Sequence, residues 1–359
     1  MKKTIQIAAL LALFASCKEA NNKKEIITNI KKDSIAQTVT PVASFDGQQV
    51  TGVTVTDAGR IFANFPRWRN GVKNSVVEIS LNQESTSYPN AAWNSWEIGQ
   101  QVTENKFVGV QSVVAFENKL YVLDTRSALF KSVLDAPRVF VFDLKTNQLD
   151  RTYILTTNSY HSDSYINDLR IDKKNQKMYC TDSGHAGLVV VDLKTGESKR
   201  ILDNHKSTKA EFSILNFNGK EWKNTINSDG IALDTLNNRL YYHALTGYSL
   251  YSISTAAFNL TDEKAIEKEV KFEGKTAAPD GMIFDQNGNL YYADLENNKI
   301  QYRKSDGSVK TLIEGDEIKW ADTFSIYNGY LYFTNSRINE VTPDISKLSF
   351  TINKIKLPN

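Results

Sequence analysis

The sequence predicts an all-β protein, a six-bladed β-propeller, on two observations: one short phrase recurs six times, and each copy lies inside a pattern of alternating apolar strands and polar turns. The phrase is a turn rich in Asn, Gly or Asp, then an aliphatic residue, then an aromatic one. Its copies are DAGRIF (57–62), ENKLY (117–121), KNQKMY (174–179), LNNRLY (236–241), QNGNLY (286–291) and YNGYLY (327–332). Their aliphatic members, Ile61, Leu120, Met178, Leu240, Leu290 and Leu331, recur about every 40 to 60 residues, the length of a propeller blade.

Each copy follows a short apolar or alternating run: GVTVTD, VVAFE, LRIDK, GIALD, GMIFD and TFSIY. Strand, tight polar turn and strand make a β-hairpin. Further hairpins follow several copies, and RVFVFDLKTNQLDRTYIL (138–155) is nearly repeated by GLVVVDLKTGESKRIL (187–202). Four strands per repeat describe a blade. A β-sandwich also contains many short strands, but it does not require one phrase per four-strand unit. The stretch YPNAAWNSWEIGQ (88–100) reads as an insertion lying over one face.

Ahead of the first repeat, Lys2 and Lys3 precede an apolar run from Ile5 to Phe14, followed by Ala15, Ser16 and Cys17. A charged start, a short apolar stretch and small residues form an export signal, and the stretch falls short of the roughly 20 residues that span a bilayer. Small residues directly before a cysteine resemble a bacterial lipobox. The expectation is a signal peptide over 1–16 and a lipidated Cys17, with ordinary cleavage nearby as the alternative. Residues 17–37 have the polar composition of a flexible tether, leaving 38–359 for the propeller. The exported protein is then expected to face the periplasm or the cell surface, held to the membrane through the anchor alone.

Removing residues 1–16 takes away two lysines and brings the formal charge from +2 to 0. A neutral chain without basic clusters gives no electrostatic reason for nucleic-acid binding. Cys180 is the one other cysteine, so acylation of Cys17 leaves no intrachain disulfide. There is no Gly-rich phosphate loop, no GxSxG elbow and no CxxC pair. His161, His185, His205 and His243 follow no local metal-binding spacing, and each reads as structural.

In a propeller the residues at the inner-strand entrances crowd round one mouth of the central channel. Reading back from each inner strand, Asp168, Asp229, Asp280 and Asp322 take matching positions in four consecutive repeats. Any one of them reads as a turn cap. As a set they point to a site, because like charges gathered in a concavity repel. Such carboxylates hold a hard cation, attract a cationic ligand, or supply general acid and base groups. Trp68, Trp93, Trp96 and Tyr88 offer a second, aromatic wall for a planar or cationic ligand, or serve as loop anchors and inter-blade packing. Neither wall fixes a ligand by itself, and a pure protein-interaction scaffold stays open for any propeller.

Several segments resemble the major royal jelly/yellow protein family: FPRWRNGV (65–72), YPNAAWN (88–94), LYVLDT (120–125) and, above all, LYYHALTGYSLYSIST (240–255). Arg126 stands where that family usually has Gly. The resemblance implies a six-bladed propeller that binds a small aromatic or amine metabolite in its channel, and an isomerase activity of the dopachrome-tautomerase kind. A more distant resemblance links PDGM (279–282), SDGI (228–231) and IND (166–168) to the gluconolactonase/regucalcin group. That likeness implies a divalent cation, calcium, on Asp280 and Asp229 with Asn167 nearby, and a metal-dependent lactonase as the rival activity. Thr51 falls where that group carries a metal-binding Glu. The expected ligand-binding set is therefore Asn167, Asp168, Asp229, Asp280, Asp322, Trp68 and Trp93.

Overall fold

The computed structural model describes residues 38–358. Six four-stranded antiparallel sheets follow one another along the chain, with inner strands Gly52–Val55, Val110–Phe116, Ile166–Asp172, Ser228–Asp234, Met282–Phe284 and Ala321–Tyr327. Each inner strand packs against the next, and the sixth packs against the first, so the sheets close into a ring. Closure is made by the chain ends. The strand Thr40–Asp46 forms the outer edge of blade 6 by pairing antiparallel with Ser349–Lys356, with Phe45 opposite Phe350. No helix among the described residues is long and apolar enough to cross a membrane.

The recurring phrase has a physical basis in this arrangement. Its aliphatic and aromatic members are adjacent on the second strand of each blade, so the strand's period of two points them to opposite faces of the sheet. Leu120 packs toward blade 1 with Phe62 and Val76, while Tyr121 packs toward blade 3 with Leu169 and Ile171. The same division holds for Met178 and Tyr179, Leu240 and Tyr241, Leu290 and Tyr291, and Leu331 and Tyr332. Ile61 and Phe62 complete the circle. The aliphatic residue thus always faces the preceding blade and the aromatic residue the following one. The hydrophobic core is a set of six inter-blade layers, and burying both members of the phrase is what joins the blades.

The turn portion is equally determined. Glu117 and Asn118 both take left-handed backbone, as a two-residue hairpin with the twist of its strands requires, and so do Asn328 and Gly329. In blades 3 and 4 an aspartate ends the inner strand, in blade 5 one directly follows it, and each caps the turn. Asp172 accepts the backbone N–H of Asn175 (3.0 Å), Asp234 those of Leu236 and Asn237 (3.0 Å each), and Asp285 those of Asn287 and Asn289 (2.9 and 2.8 Å).

The insertion at 88–100 is bound into the protein. Asn90 caps the short helix Ala91–Asn94. Buried Asn94 accepts the N–H groups of Ser75 and Val76 (2.7 and 3.0 Å) and donates to the carbonyls of Tyr88 and Asn90 (3.0 Å each). Arg67 donates to the carbonyls of Asn94 and Phe107 (2.8 and 2.9 Å) and lies over the Trp96 ring. Arg126, at the position expected to hold Gly, has φ 58° and is fully buried between Asp124 and Asp135. The left-handed backbone explains why Gly suits that position, and the two carboxylates explain how an arginine is held there. Cys180 is free and buried, its thiol pushed up by burial. Cys17, the expected lipidation site, lies outside the described residues, as do the signal peptide and tether.

Candidate functional site

The channel mouth is built by a repeated irregularity. In blades 3, 4 and 6 the inner strand loses register with its partner for two residues just inside its start: between Ile166 and Leu169, between Ser228 and Ile231, and between Ala321 and Phe324. Blade 2 slips by one residue between Val110 and Ser112. Bulges of this kind re-aim side chains next to functional sites. Aligned on their strand partners, the first bulge residues and their counterparts in blades 1 and 5 are Thr51, Gln111, Asn167, Asp229, Asp280 and Asp322. The ring at the mouth is therefore neutral in blades 1–3 and acidic in blades 4–6.

This register corrects the expected set of four equivalent carboxylates. Asp168 corresponds to Gly230 and Thr323, one residue further along, and Asn167 takes the ring position in blade 3. Asp168 is answered locally: it pairs with Arg170 (2.8 Å) and accepts the Ser112 hydroxyl (2.7 Å). It lies outside the mouth cavity's lining. The glycine after the aspartate in blades 4 and 5 reflects close approach. A Cβ on Gly230 would come within 2.7 Å of the Asp280 carbonyl, and one on Gly281 within 2.6 Å of the Asp322 carbonyl.

The cavity over this ring has a volume of about 680 Å³ and is lined by Asn167, Asp229, Asp280 and Asp322 together with Trp68, Phe130, Tyr165, Trp222 and Trp320. Arg69 and Lys131 also line it. Among the described residues no Lys, Arg or His lies within ion-pair distance of Asp229, Asp280 or Asp322. All three are buried. Burial, and then the neighbouring carboxyls, hold Asp229 and Asp322 well above the usual carboxylate range. Burial pushes Asp280 up to about 7 despite a 2.7 Å hydrogen bond from the indole N–H of Trp320 to its Oδ2. The charge of Asp280 raises both Asp229 and Asp322 further, so the carboxyls resist ionising together.

The opposite wall is a chain of hydrogen bonds. Trp68 donates to the Tyr165 hydroxyl (2.5 Å), Tyr165 to Gln111 (2.8 Å), and the Gln111 amide to Oδ1 of Asn167 (2.8 Å). Burial raises the Tyr165 phenol far above its ordinary value, so it stays a neutral donor. Phe130 is 62% exposed, stacks on Trp68 at 5.1 Å and lies 5.4 Å from Tyr165.

Of the expected aromatic wall, Trp68 alone lines the cavity. Trp93 packs against Phe107, Phe140 and Phe142 in the layer between blades 1 and 2, and Tyr88 and Trp96 are buried in the core. Their place is taken by residues that sequence reasoning missed. Trp320 precedes Asp322 by two positions and has φ 62°, an outlier for a bulky residue that aims its indole at Asp280. Trp222 comes from an extra hairpin, Ile214–Phe217 paired with Lys220–Lys223, and meets Trp320 edge-on at 4.9 Å. Its turn, Asn218-Gly219, is a strong hairpin signal that the six-fold phrase does not include.

A six-bladed propeller with a partly acidic channel mouth under an aromatic wall is the class these features define. Residues 110–358 match the major royal jelly protein family, and the chain belongs to that family. It is 24% identical to major royal jelly protein 3 of Apis mellifera over 51% of this chain and 35% of that protein, and 21% identical to major royal jelly protein 1 over 60% and 52%. The matches thus span about a third to a half of those relatives. Among solved structures, a gluconolactonase from Xanthomonas campestris superposes with a TM-score of 0.55 at 12% identity, over 90% of each chain, a likeness of fold alone.

Proposed function

We propose that the mouth cavity binds a small aromatic amine, its ammonium group set against Asp229, Asp280 and Asp322 and its ring against Trp68, Phe130 and Trp222. The observation that carries this reading is three buried carboxyls with no basic partner among the described residues, facing a cavity with an aromatic wall. Buried carboxylates demand a counter-charge. A ligand cation supplies it, and aromatic faces add cation–π attraction. Arg69 and Lys131, which also line the cavity, repel a cation, so the ammonium is set at the carboxyls and away from both. The Asp229–Asp280 pair also suits a proton-shift isomerisation of the tautomerase kind: the ionised carboxyl takes a proton from one ligand atom, its protonated partner returns one to another, and nothing is lost overall.

A calcium-dependent lactonase is the rival reading, and the donors fit it poorly. The Asn167 oxygen already accepts from Gln111, Oδ2 of Asp280 accepts from Trp320, and blade 1 supplies Thr51 instead of a carboxylate. Calorimetric titration of wild type and Asp280→Asn with aromatic amines, aldonolactones and calcium separates the two. The expected result is amine binding that falls at least about 30-fold in Asp280→Asn, equivalent to the ~2 kcal/mol lower end for a disrupted buried charge pair, with little change in stability. Calcium binding without amine binding, or equal amine affinity in both proteins, would overturn the reading.

The chain's first residues support export and anchoring through Cys17, with the cavity presented outside the cytoplasm. Cys17→Ala is expected to abolish lipid labelling and release the protein from the membrane fraction. A wild-type protein that is already unlabelled and unbound would remove this part of the proposal.

A further inference from the structure

Two of the four histidines come together on the rim of the cavity. His161 lies ahead of blade 3's inner strand, His185 in the turn between that blade's second strand Lys177–Asp182 and third strand Gly187–Asp192, and Asp203 just after its last strand Ser198–Ile201. Their rings stack with centroids 3.8 Å apart. Nε2 of His161 is 3.2 Å, and Nε2 of His185 3.7 Å, from the same Oδ1 of Asp203. One ligand atom from each of the three residues falls within 4.8 Å of the others. Metal bonds of about 2.0–2.1 Å in tetrahedral geometry place ligand atoms roughly 3.3–3.4 Å apart, so modest rotations of the half-buried His161 and exposed Asp203 side chains close the set on one ion.

The surroundings favour an ion over a chance stack. Asp163 sits 3.0 and 3.2 Å from Nδ1 of His185, which fixes the proton on Nδ1 and leaves the Nε2 lone pair facing the cluster, the usual second partner of a metal-binding histidine. That lone pair is covered by the exposed amide of Asn204 at 2.8 Å, a side chain an incoming ion displaces. Arg200 holds Asp203 by donating its Nε to that same Oδ1, a contact that rotation of the exposed carboxylate toward an ion exchanges, and it pairs with Asp182 at 2.8 Å. Asp163, Asp182 and Asp203 against one guanidinium leave two negative charges around two imidazoles, the complement of a divalent cation.

We propose that His161, His185 and Asp203 bind a divalent transition-metal ion, of the zinc, cobalt, nickel or copper type, with one coordination position open to solvent. Two imidazoles and one carboxylate select these borderline ions over calcium or magnesium. The spacing hides the site, since 23 residues separate the histidines and the blade's hairpins bring them together. Asp163, Ser164, Tyr165, Ser183 and Gly184, on the same two loops, line the mouth cavity. The ion therefore pins the loop that carries Tyr165. The inference does not rest on the amine reading, which stands or falls by the titration above.

The test uses untagged protein lacking residues 1–16. Cobalt(II) binding is followed by its visible absorption, and zinc affinity by competition with a chromogenic chelator. One ion per chain is expected. His161→Ala and His185→Ala should each abolish the cobalt spectrum. Asp163→Asn should weaken zinc about 10- to 100-fold, and His205→Ala should behave as wild type. Failure of the wild type to bind either ion, or binding unchanged in both histidine variants, would overturn the proposal. Circular dichroism of each variant separates a lost ligand from a lost fold.

Discussion

Asp280 is held between opposing influences: burial and the charge of Asp168 favour its neutral form, while the Trp320 N–H stabilises its anion. Burial prevails and leaves the group at about 7, with Asp229 and Asp322 also raised. A carboxyl whose folded value is raised binds its proton more tightly when folded than when unfolded. Its contribution to stability is complete below the unfolded value near 4 and is lost as pH rises through the folded value near 7. The unliganded protein should therefore melt lower at pH 8 than at pH 5.5, by about a few °C. Asp280→Asn and Asp322→Asn together should flatten that difference. A bound amine reverses the preference, because the cation stabilises the ionised carboxyls, so protons should be released on binding near pH 6.5. Calorimetry in two buffers of different ionisation enthalpy measures that release, and its absence would show that these carboxyls are already ionised without ligand.

At the scale of strands and turns, the blades were legible because each rests on local chemistry. An Asn, Gly or Asp turn and an aliphatic–aromatic pair are required six times over, since every second strand must join the blade before it to the blade after it. The mouth was legible in part. The Asp-Gly pairs at 229–230 and 280–281 show in the sequence because only glycine tolerates the next blade's carbonyl. Asn167 and Asp168 present an acid one residue late, and the bulge that decides which of them faces the cavity is a matter of pairing with the second strand, invisible without the register. The aromatic wall was misassigned for a similar reason. Trp93 and Trp68 sit in one stretch rich in aromatic residues, yet Asn94 and Arg67 tie that insertion down so that Trp93 joins the core. Trp320 and Trp222 reach the cavity through a left-handed residue and an added hairpin, and neither belongs to the repeat.

For the molecule as a whole, a propeller is a closed ring, and the place where the chain closes it determines what can be removed. The last blade is completed by Thr40–Asp46, whose Ala43 and Phe45 sit in the layer shared by blades 6 and 1. Leaving this strand out strips the outer edge from Ser349–Lys356 and uncovers Phe350 and Ile352, both fully buried in the closed ring. Exposing such an edge together with core side chains loses hydrophobic burial and creates a template for intermolecular pairing. A chain starting at residue 38 keeps the closing strand, whereas one starting at residue 48 lacks it. The first should therefore fold, melt within about 2 °C of the longer protein and retain the wild-type amine affinity, as expected if residues 17–37 are a tether. The second should melt far lower and aggregate. Thermal denaturation and size-exclusion chromatography of the two truncations decide the matter. Equal stability would mean that the ring does not depend on its closing strand, whereas loss of folding in the chain starting at residue 38 would assign residues before 38 a structural role beyond tethering.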